Sequence, residues 1–207
     1  MPRFSPTVFA ALCCVTLASV SAPVSAAEKK ASAIFAGGCF WCVESDFDRV
    51  PGVISTTSGY IGGSADTANY KTVSNRPTGH YEAVRIVYDP SKVSYRRLLN
   101  VFWRSVDPTD AGGQFCDRGD SYKTAVFYAN NKEQETALAT KEKAEEALNK
   151  KIVTRIVKAG PFYNAEGYHQ DYYKRNPVRY KVYRYSCGRD QKIRSLWGNE
   201  AHAGIKH

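Results

Sequence analysis

The sequence predicts an α+β fold, a single-domain two-layer sandwich with a mixed central sheet. An apolar run at residues 31–36 is typical of a strand, and apolar residues recur at helical spacing over 39–50. Residues 80–89 alternate between two faces, as in a half-buried strand. Strands and helices do not alternate strictly, and no internal repeat or linker divides the chain, so we expect one domain and not a doubly wound parallel sheet.

The predicted elements follow from these patterns and from the residues that end them. Pro51-Gly52 ends the first predicted helix, and Asp89-Pro90 ends the predicted strand 80–89. Gly160-Pro161 turns the chain late in the sequence. The predicted strands are 31–36, 53–58, 80–89, 122–129 and 152–158. The predicted helices are 39–50, 94–105, 130–151, 164–175 and a short one at 191–196.

Two long loops and a tail complete the prediction. Residues 59–79 and 106–121 are rich in glycine and proline, and loops of this length in a compact domain tend to be functional or disordered. From residue 176 onward we predict a largely irregular C-terminal tail.

The first 26 residues have the pattern of a secretory signal peptide. Arg3 is followed by the largely apolar stretch 8–20, and Val24-Ser25-Ala26 has the small-x-small form of a cleavage site. A retained N-terminal anchor is the alternative, although the apolar stretch is short for a membrane span. We therefore expect a signal peptide at 1–26, a mature domain at 27–207, and export to the periplasm or beyond the cell.

The net charge of +9 is spread along the chain, with some concentration at 174–194, where tyrosines and basic residues interleave. Such a segment could contact nucleic acid, but no nucleic-acid-binding motif accompanies it. We interpret it as a solvated surface and expect no nucleic-acid partner.

The segment 37–42, Gly-Gly-Cys-Phe-Trp-Cys, leads from the first strand into the first helix. Its glycines allow a sharp turn, which would place Cys39 at or near a helix N-terminus. The unpaired N–H groups there stabilise a thiolate and lower the pKa of a cysteine. Cys39 is thus a candidate nucleophile, although buried structural cysteines also occur in such arrangements.

Four of the six cysteines lie after residue 26, and they allow more than one interpretation. They could form two structural disulfides in a secreted, non-enzymatic module. Cys39 and Cys42 could instead be the CxxC pair of a thioredoxin-type oxidoreductase, although no tryptophan precedes the first cysteine. A zinc site would need a second close pair, and Cys116 and Cys187 stand alone, so we expect no metal.

Glu82 is the second candidate catalytic residue because it lies on the apolar-leaning face of the predicted strand 80–89. A carboxyl group buried there is either paired or protonated, and burial raises its pKa. A salt bridge to one of the many basic residues is the alternative. Asp117, close to Gly119, could equally be a turn residue.

Several ordered motifs together resemble the A-type peptide methionine sulfoxide reductase family. The match extends over roughly residues 32–198, and this many motifs in the same order make coincidence improbable. The motifs are Gly38-Cys39-Phe40-Trp41-Cys42, Ser58-Gly59-Tyr60-x-Gly62-Gly63, Thr78-Gly79-His80-Tyr81-Glu82-Ala83-Val84, Cys116-Asp117-Arg118-Gly119 before Tyr122, and Phe162-Tyr163-x-Ala165-Glu166-x-Tyr168-His169-Gln170.

The resemblance implies a ferredoxin-like core and the reduction of methionine (S)-S-oxide, free or in proteins, to methionine. Such an enzyme repairs oxidised proteins. The resemblance gives roles to seven residues: the nucleophile Cys39, the acid Glu82 that protonates the sulfoxide oxygen, the oxygen-binding hydroxyls of Tyr70 and Tyr122, Asp117 beside the site, and Phe40 and Trp41 as the aromatic wall around the substrate methyl group.

Attack by Cys39 would leave a sulfenic acid, which a second thiol converts to a disulfide. Cys42 is our first candidate for this resolving thiol, because side chains three apart on a helix lie about 5–6 Å from each other. Cys187 is the second candidate, since many family members resolve with a cysteine of the C-terminal tail. Cys116 is a third, and a structural Cys116–Cys187 bridge is also consistent with the sequence.

The resemblance also implies a thioredoxin-like reductant that regenerates the thiols. We expect no cofactor, no stable membrane association and a monomeric protein.

Overall fold

A computed structural model of the chain describes residues 1–3 and 30–206. Residues 4–26 of the predicted signal peptide therefore lie outside the described residues. Within the described ranges, no helix combines the length and apolar character that crossing a membrane requires.

The elements follow in a mixed order along the chain. The strands are β1 (Ala31–Gly37), β2 (Val53–Ile61), β3 (Tyr81–Tyr88), β4 (Gly113–Gln114), β5 (Asp117–Arg118), β6 (Thr124–Tyr128), β7 (Arg155–Lys158) and β8 (Phe162–Asn164). The helices are α1 (Phe40–Phe47), α2 (Tyr70–Val73), α3 (Tyr95–Trp103), α4 (Asn131–Leu148), α5 (Tyr172–Arg175), α6 (Pro177–Ser186) and α7 (Arg189–Trp197).

Six strands form one sheet in the order β7-β6-β1-β3-β2-β8. All neighbours are antiparallel except β6 and β7, which are parallel. The predicted α+β class with a mixed central sheet is therefore confirmed. β1 and β3 lie at the centre, so the turn after β1 and the side chains of β3 are fixed by strands on both sides.

The main core lies between one face of the sheet and the helices α1 and α3. Phe35 of β1 packs against Phe47 of α1 and Phe102 of α3, with ring centroids 5.5 and 5.1 Å apart. The buried Trp103 donates from its indole N–H to the hydroxyl of Thr140, 3.1 Å away, which ties α3 to α4. A smaller apolar cluster covers the opposite face, because alternate residues of each strand point to opposite sides.

The prediction of an irregular C-terminal tail was wrong for residues 177–190, whereas the short helix predicted at 191–196 lies within α7. α6 and α7 cover residues 177–197, and Pro177 occupies the first turn of α6, where a missing N–H does no harm. The apolar pattern is weak because buried arginines occupy inward positions that a helix usually gives to apolar residues. Arg184 and Arg189 are both largely buried and interact with acidic groups.

The predicted helix at 164–175 is also shorter than expected. β8 continues to Asn164, the helix α5 covers only Tyr172–Arg175, and turns lie between them. Asp171 at the start of α5 has a positive φ of 53°. The backbone of this turn contacts the first helix, since the Asp171 N–H donates to Oε2 of Glu44 on α1 at 3.1 Å.

Candidate active site

Cys39 lies at the junction of β1 and α1. Gly38 has a φ of +83°, and a Cβ there would lie 2.5 Å from the Cβ of Gln114, so only glycine fits. Cys39 caps α1, and its carbonyl accepts the N–H of Cys42 at 3.1 Å. The prediction that Cys39 lies at a helix N-terminus is confirmed.

Glu82 contacts the same helix N-terminus from the central strand β3. Its Oε2 accepts the N–H of Phe40, the first residue of α1, at 3.1 Å. Burial raises the pKa of Glu82 to about 8, although the Phe40 N–H and a hydrogen bond with Tyr122 act in the opposite direction. The carboxyl group is therefore largely protonated at neutral pH, and it is hydrogen-bonded to the residue that follows Cys39.

Tyr70 begins α2, and Tyr122 lies just before β6. The charges of Glu82 and Asp117 act on both phenols. Burial, followed by the charges of Glu82, Cys39 and Asp117, raises the pKa of Tyr70 to about 12. The pKa of Tyr122 is raised in the same way, first by burial and then by Glu82. Both phenols stay protonated at neutral pH, so both can donate a hydrogen bond to an oxygen bound between them.

Asp117 adjoins this group and is held by a residue of the tail. The hydroxyl of Tyr183 on α6 donates to its Oδ2. Burial raises the pKa of the Asp117 carboxyl, while the hydrogen bond from Tyr183 lowers it. Tyr183 was not among the predicted site residues because the segment that carries it was predicted to be irregular.

Trp41 is partly exposed at this site. Its indole stacks on the ring of Tyr172 with centroids 3.7 Å apart and an angle of 6°, and the edge of Tyr183 lies 5.7 Å away. Its indole N–H donates to Nδ1 of His169 at 3.0 Å. Phe40 is buried beneath, against His169 at 4.9 Å. The structure thus brings both predicted wall residues to the site, with Trp41 closer to solvent.

The Glu166 carboxylate connects Tyr60 and Tyr70 through hydrogen bonds. Its Oε1 accepts the N–H of Tyr70 and its Oε2 accepts the hydroxyl of Tyr60, both at 2.9 Å. His169 lies 3.8 Å from the same carboxylate. Glu166 therefore fixes the start of α2, and His169 fixes Trp41. Both belong to a motif that the sequence showed, but its spacing alone did not reveal these contacts.

Cys39 and Cys42 are free thiols, and both are buried. A hydrogen bond between the two thiols shifts their pKa values in opposite directions. The pKa of Cys39 is raised, first by burial and next by Cys42. The pKa of Cys42 is lowered to about 7, first by the hydrogen bond from Cys39 and then, against burial, by the charges of Arg189 and Arg184. The pKa of Cys39 is thus raised and not lowered as predicted, first because the thiol is buried.

The two arginines reach this pair from the C-terminal helices. Arg189 is buried and donates to the carbonyls of Gly37 at 3.1 Å and Ser105 at 2.8 Å. Arg184 pairs with Asp46 of α1 at 2.8 Å. The positive charges of Arg184 and Arg189 therefore both act on Cys42. Arg189 also holds the turn before Cys39 through the Gly37 carbonyl.

Cys187 and Cys116 form a disulfide bond, with Cα atoms 4.9 Å apart. This is the bridge that the sequence allowed, and it leaves Cys187 without a free thiol in this structure. The two sulfur atoms and a carboxylate oxygen of Asp117 lie within 4.8 Å of one another. They could hold a metal ion only after reduction, since the disulfide occupies both sulfurs.

Two buried histidines hold neighbouring groups in place. The buried His80 accepts the N–H of Gly63 at Nδ1, and its Nε2 lies 2.9 Å from the carbonyl oxygen of Ser64. His169 instead holds Trp41. Both imidazoles are therefore occupied in positioning the backbone or a side chain.

Comparison with known proteins gives a consistent result. Residues 31–201 match the family model described as peptide methionine sulfoxide reductase. The chain is 51% identical over 185 residues to peptide methionine sulfoxide reductase MsrA 2 of Rhizobium meliloti, covering 89% of this chain and 92% of the relative. It is 50% identical over 173 residues to MsrA of Bacillus subtilis, covering 83% and 98% of the two chains.

Two solved structures are similar in fold. Mxr1 of Saccharomyces cerevisiae in reduced form matches with a TM-score of 0.68 and 29% identity, over 72% of this chain and 87% of that one. Methionine sulfoxide reductase A of Corynebacterium diphtheriae matches with a TM-score of 0.64 and 30% identity, over 72% and 76%.

Proposed function

The chain belongs to the peptide methionine sulfoxide reductase family, and on that premise we propose how its residues reduce methionine (S)-S-oxide to methionine. The reaction is thiol-dependent. One observation carries the assignment of residues: the buried Glu82 carboxyl accepts the N–H of the first helical residue after Cys39. This contact supports the assignment of Glu82 as the acid that acts with Cys39.

The first step oxidises Cys39. The Cys39 sulfur attacks the sulfoxide sulfur, and its thiol proton passes to the Glu82 carboxylate that forms when this acid gives up its own proton. Glu82 protonates the oxygen, which the Tyr70 and Tyr122 hydroxyls hold. In sum, one thiol and one sulfoxide give methionine and a sulfenic acid on Cys39. Protonation matters because oxide is a poor leaving group, and a positioned acid typically contributes about 10²–10⁴-fold.

The substrate side chain fits the aromatic wall. The methyl group and the polarisable sulfur of methionine pack favourably against aromatic rings. Trp41 is fixed by the ring of Tyr172 and by His169, so it presents a rigid face. We assign Trp41, over the buried Phe40, to the recognition of the methyl group.

Cys42 resolves the sulfenic acid in this proposal. The thiolate of Cys42 attacks the Cys39 sulfur, a disulfide forms, and hydroxide leaves and is protonated to water. Arg184 and Arg189 favour the thiolate that this step needs. Cys187 is the weaker candidate because its sulfur is already bonded to Cys116.

A single turnover without reductant tests this cycle. After one equivalent of methionine sulfoxide, alkylation and mass spectrometry should show a Cys39–Cys42 disulfide and one methionine released per chain. Cys42→Ser should release the same first methionine and leave Cys39 as a sulfenic acid that a dimedone probe traps. A complete Cys39 disulfide in Cys42→Ser would transfer the resolving role to Cys187 or Cys116.

A thiol carrier must return two electrons to the disulfide after each turnover. We propose a thioredoxin-like protein as the source of these electrons, since dithiol proteins of this kind reduce disulfides.

We also propose that the chain acts after export, as a monomer without stable membrane attachment, and repairs oxidised exported proteins. The pattern of Arg3, the apolar stretch 8–20 and Val24-Ser25-Ala26 supports cleavage before Ala27. N-terminal sequencing of the protein from fractionated cells should find Ala27 first, in the soluble fraction outside the cytoplasm, and size-exclusion chromatography should give the mass of one chain. Full-length protein confined to the cytosol would contradict export.

A further inference from the structure

The outward face of α6 carries an exposed apolar stripe. Val178, Val182 and Tyr185 are 76%, 60% and 88% exposed. They recur at i, i+4 and i+7 and therefore share one helix face. Isolated apolar side chains are ordinary on protein surfaces, whereas contiguous ones mark interaction sites. We call these three residues the α6 stripe.

The α6 stripe faces away from the substrate site. The opposite face of α6 carries the buried Tyr180 and also Tyr183, whose hydroxyl donates to Asp117. A methionine sulfoxide side chain enters beside Trp41, on the Tyr183 side. The stripe is therefore suited to a partner other than the peptide being repaired.

The α6 stripe leads directly to the disulfide. α6 ends at Ser186, and Cys187 follows as its C-cap. Cys116 is exposed, whereas Cys39 and Cys42 are only 6% and 2% exposed. Thiol–disulfide exchange requires access to a sulfur atom. A folded protein reductant can reach the Cys116–Cys187 bond but not the inner pair.

The surroundings of the α6 stripe are basic. A groove of about 820 Å³ next to it is lined by Arg49, Lys181 and Arg194, among others. None of these three forms an ion pair with any described part of the chain, whereas Arg184 in the same groove is bound by Asp46 and Asp190. Three uncompensated positive charges fit a partner whose contact surface has an acidic rim.

We propose that the α6 stripe and its basic groove are the docking surface of the protein thiol reductant, which reduces the Cys116–Cys187 disulfide there. This inference rests on the thiol-dependent cycle proposed above. A thiolate of the reductant attacks the Cys116 sulfur, the bond to Cys187 breaks, and Cys187 leaves as a thiolate that takes up a proton. The second thiol of the reductant then displaces Cys116 as a thiol. The reductant leaves as an internal disulfide. Its two electrons are then held by the Cys116 and Cys187 thiols, which reduce the Cys39–Cys42 disulfide by a further thiol–disulfide exchange and return to their own disulfide.

The test compares a protein reductant with a small one. The variants are Val182→Glu and Tyr185→Glu, and the matched control is Leu138→Glu, because Leu138 is 51% exposed on the distant helix α4. Reduction of Cys116–Cys187 is followed by quenched alkylation and mass spectrometry, with thioredoxin or with dithiothreitol. We expect the rate constant with thioredoxin to fall at least about tenfold in both stripe variants. The rate with dithiothreitol, and both rates of the control, should not change.

Two further measurements keep the test decisive. Lys181→Glu and Arg194→Glu should weaken the salt dependence of the thioredoxin reaction, since they remove the charges that salt screens. Thioredoxin that lacks its resolving cysteine should be trapped as a mixed disulfide on Cys116.

Three outcomes would overturn the inference. They are unchanged thioredoxin rates in both stripe variants, trapping on Cys39 or Cys42, or a dimer that Tyr185→Glu dissolves while the thioredoxin rate stays the same. The assay follows disulfide reduction directly, so it can be read even if methionine sulfoxide is not turned over. Absence of turnover with dithiothreitol in the wild type would instead contradict the proposed function.

Discussion

Cys39→Ser is expected to release no methionine from methionine (S)-S-oxide, even in the first turnover. A serine hydroxyl is not ionised at neutral pH and cannot be oxidised to the sulfenic level, so neither attack nor oxygen transfer can occur. We expect activity below about 10⁻⁴ of the wild-type value, as for the loss of other covalent nucleophiles. An epimer-resolved chromatographic assay with dithiothreitol measures it.

The neighbouring cysteine provides the matched control for this prediction. Cys42→Ser has the same change of atom three residues away, yet it should release up to one methionine per chain before it stops. The wild type should consume the S-epimer and leave the R-epimer untouched. Continued turnover by Cys39→Ser, with the fold intact by circular dichroism, would remove Cys39 from the role of nucleophile.

Glu82→Gln has the second-largest expected effect, a loss in kcat/KM of about 10²–10⁴-fold. The amide keeps the size of the side chain and can still accept the Phe40 N–H, but it has no acidic proton to give to the sulfoxide oxygen. The exposed Glu142→Gln on α4 is the control and should leave kcat/KM unchanged.

The pH dependence separates loss of the acid from a change in packing. Burial raises the pKa of Glu82 to about 8, so wild-type kcat/KM should fall as the pH rises through about 8, where the carboxyl loses its proton. The residual activity of Glu82→Gln should lack this alkaline limb. A variant that keeps the limb would show that another group, and not Glu82, supplies the proton.

The same pKa has a consequence for stability, with an opposite sign to the usual acidic residue. The folded carboxyl binds its proton more tightly than the unfolded one, whose pKa is about 4.3. The free energy of unfolding of the wild type therefore decreases between about pH 4.3 and 8. Glu82→Gln avoids this loss, so its melting temperature relative to wild type should be highest at alkaline pH.

Local sequence pattern predicted the junction that carries Cys39 because its causes are local. The glycine pair, the preceding apolar run and the helical spacing after it lie within twenty residues, and the structure confirms a strand and a helix there. Glu82 was a candidate because the strand 80–89 alternates clearly. Its distance from Cys39 depends on β1 and β3 being neighbours in the sheet, which no local pattern encodes.

The C-terminal part of the site was not predictable in the same way. Arg184, Arg189 and Tyr183 look like surface residues because polar side chains on a helix usually face water. Here they are partners of Asp46, Gly37 and Asp117 from remote segments. A helix whose inward face is polar has no apolar period to detect, so its role appears only once those partners are in place.

The hydrogen bond from Arg189 to the carbonyl of Gly37 joins positions 152 residues apart. During synthesis, the turn that carries the nucleophile leaves the ribosome early, and the guanidinium that holds it leaves only near the end. Contacts between such distant positions form late, because the entropy cost of closing a long loop comes before the contacts stabilise the chain. An emerging chain therefore lacks this support for the turn before Cys39 until residue 189 has been added.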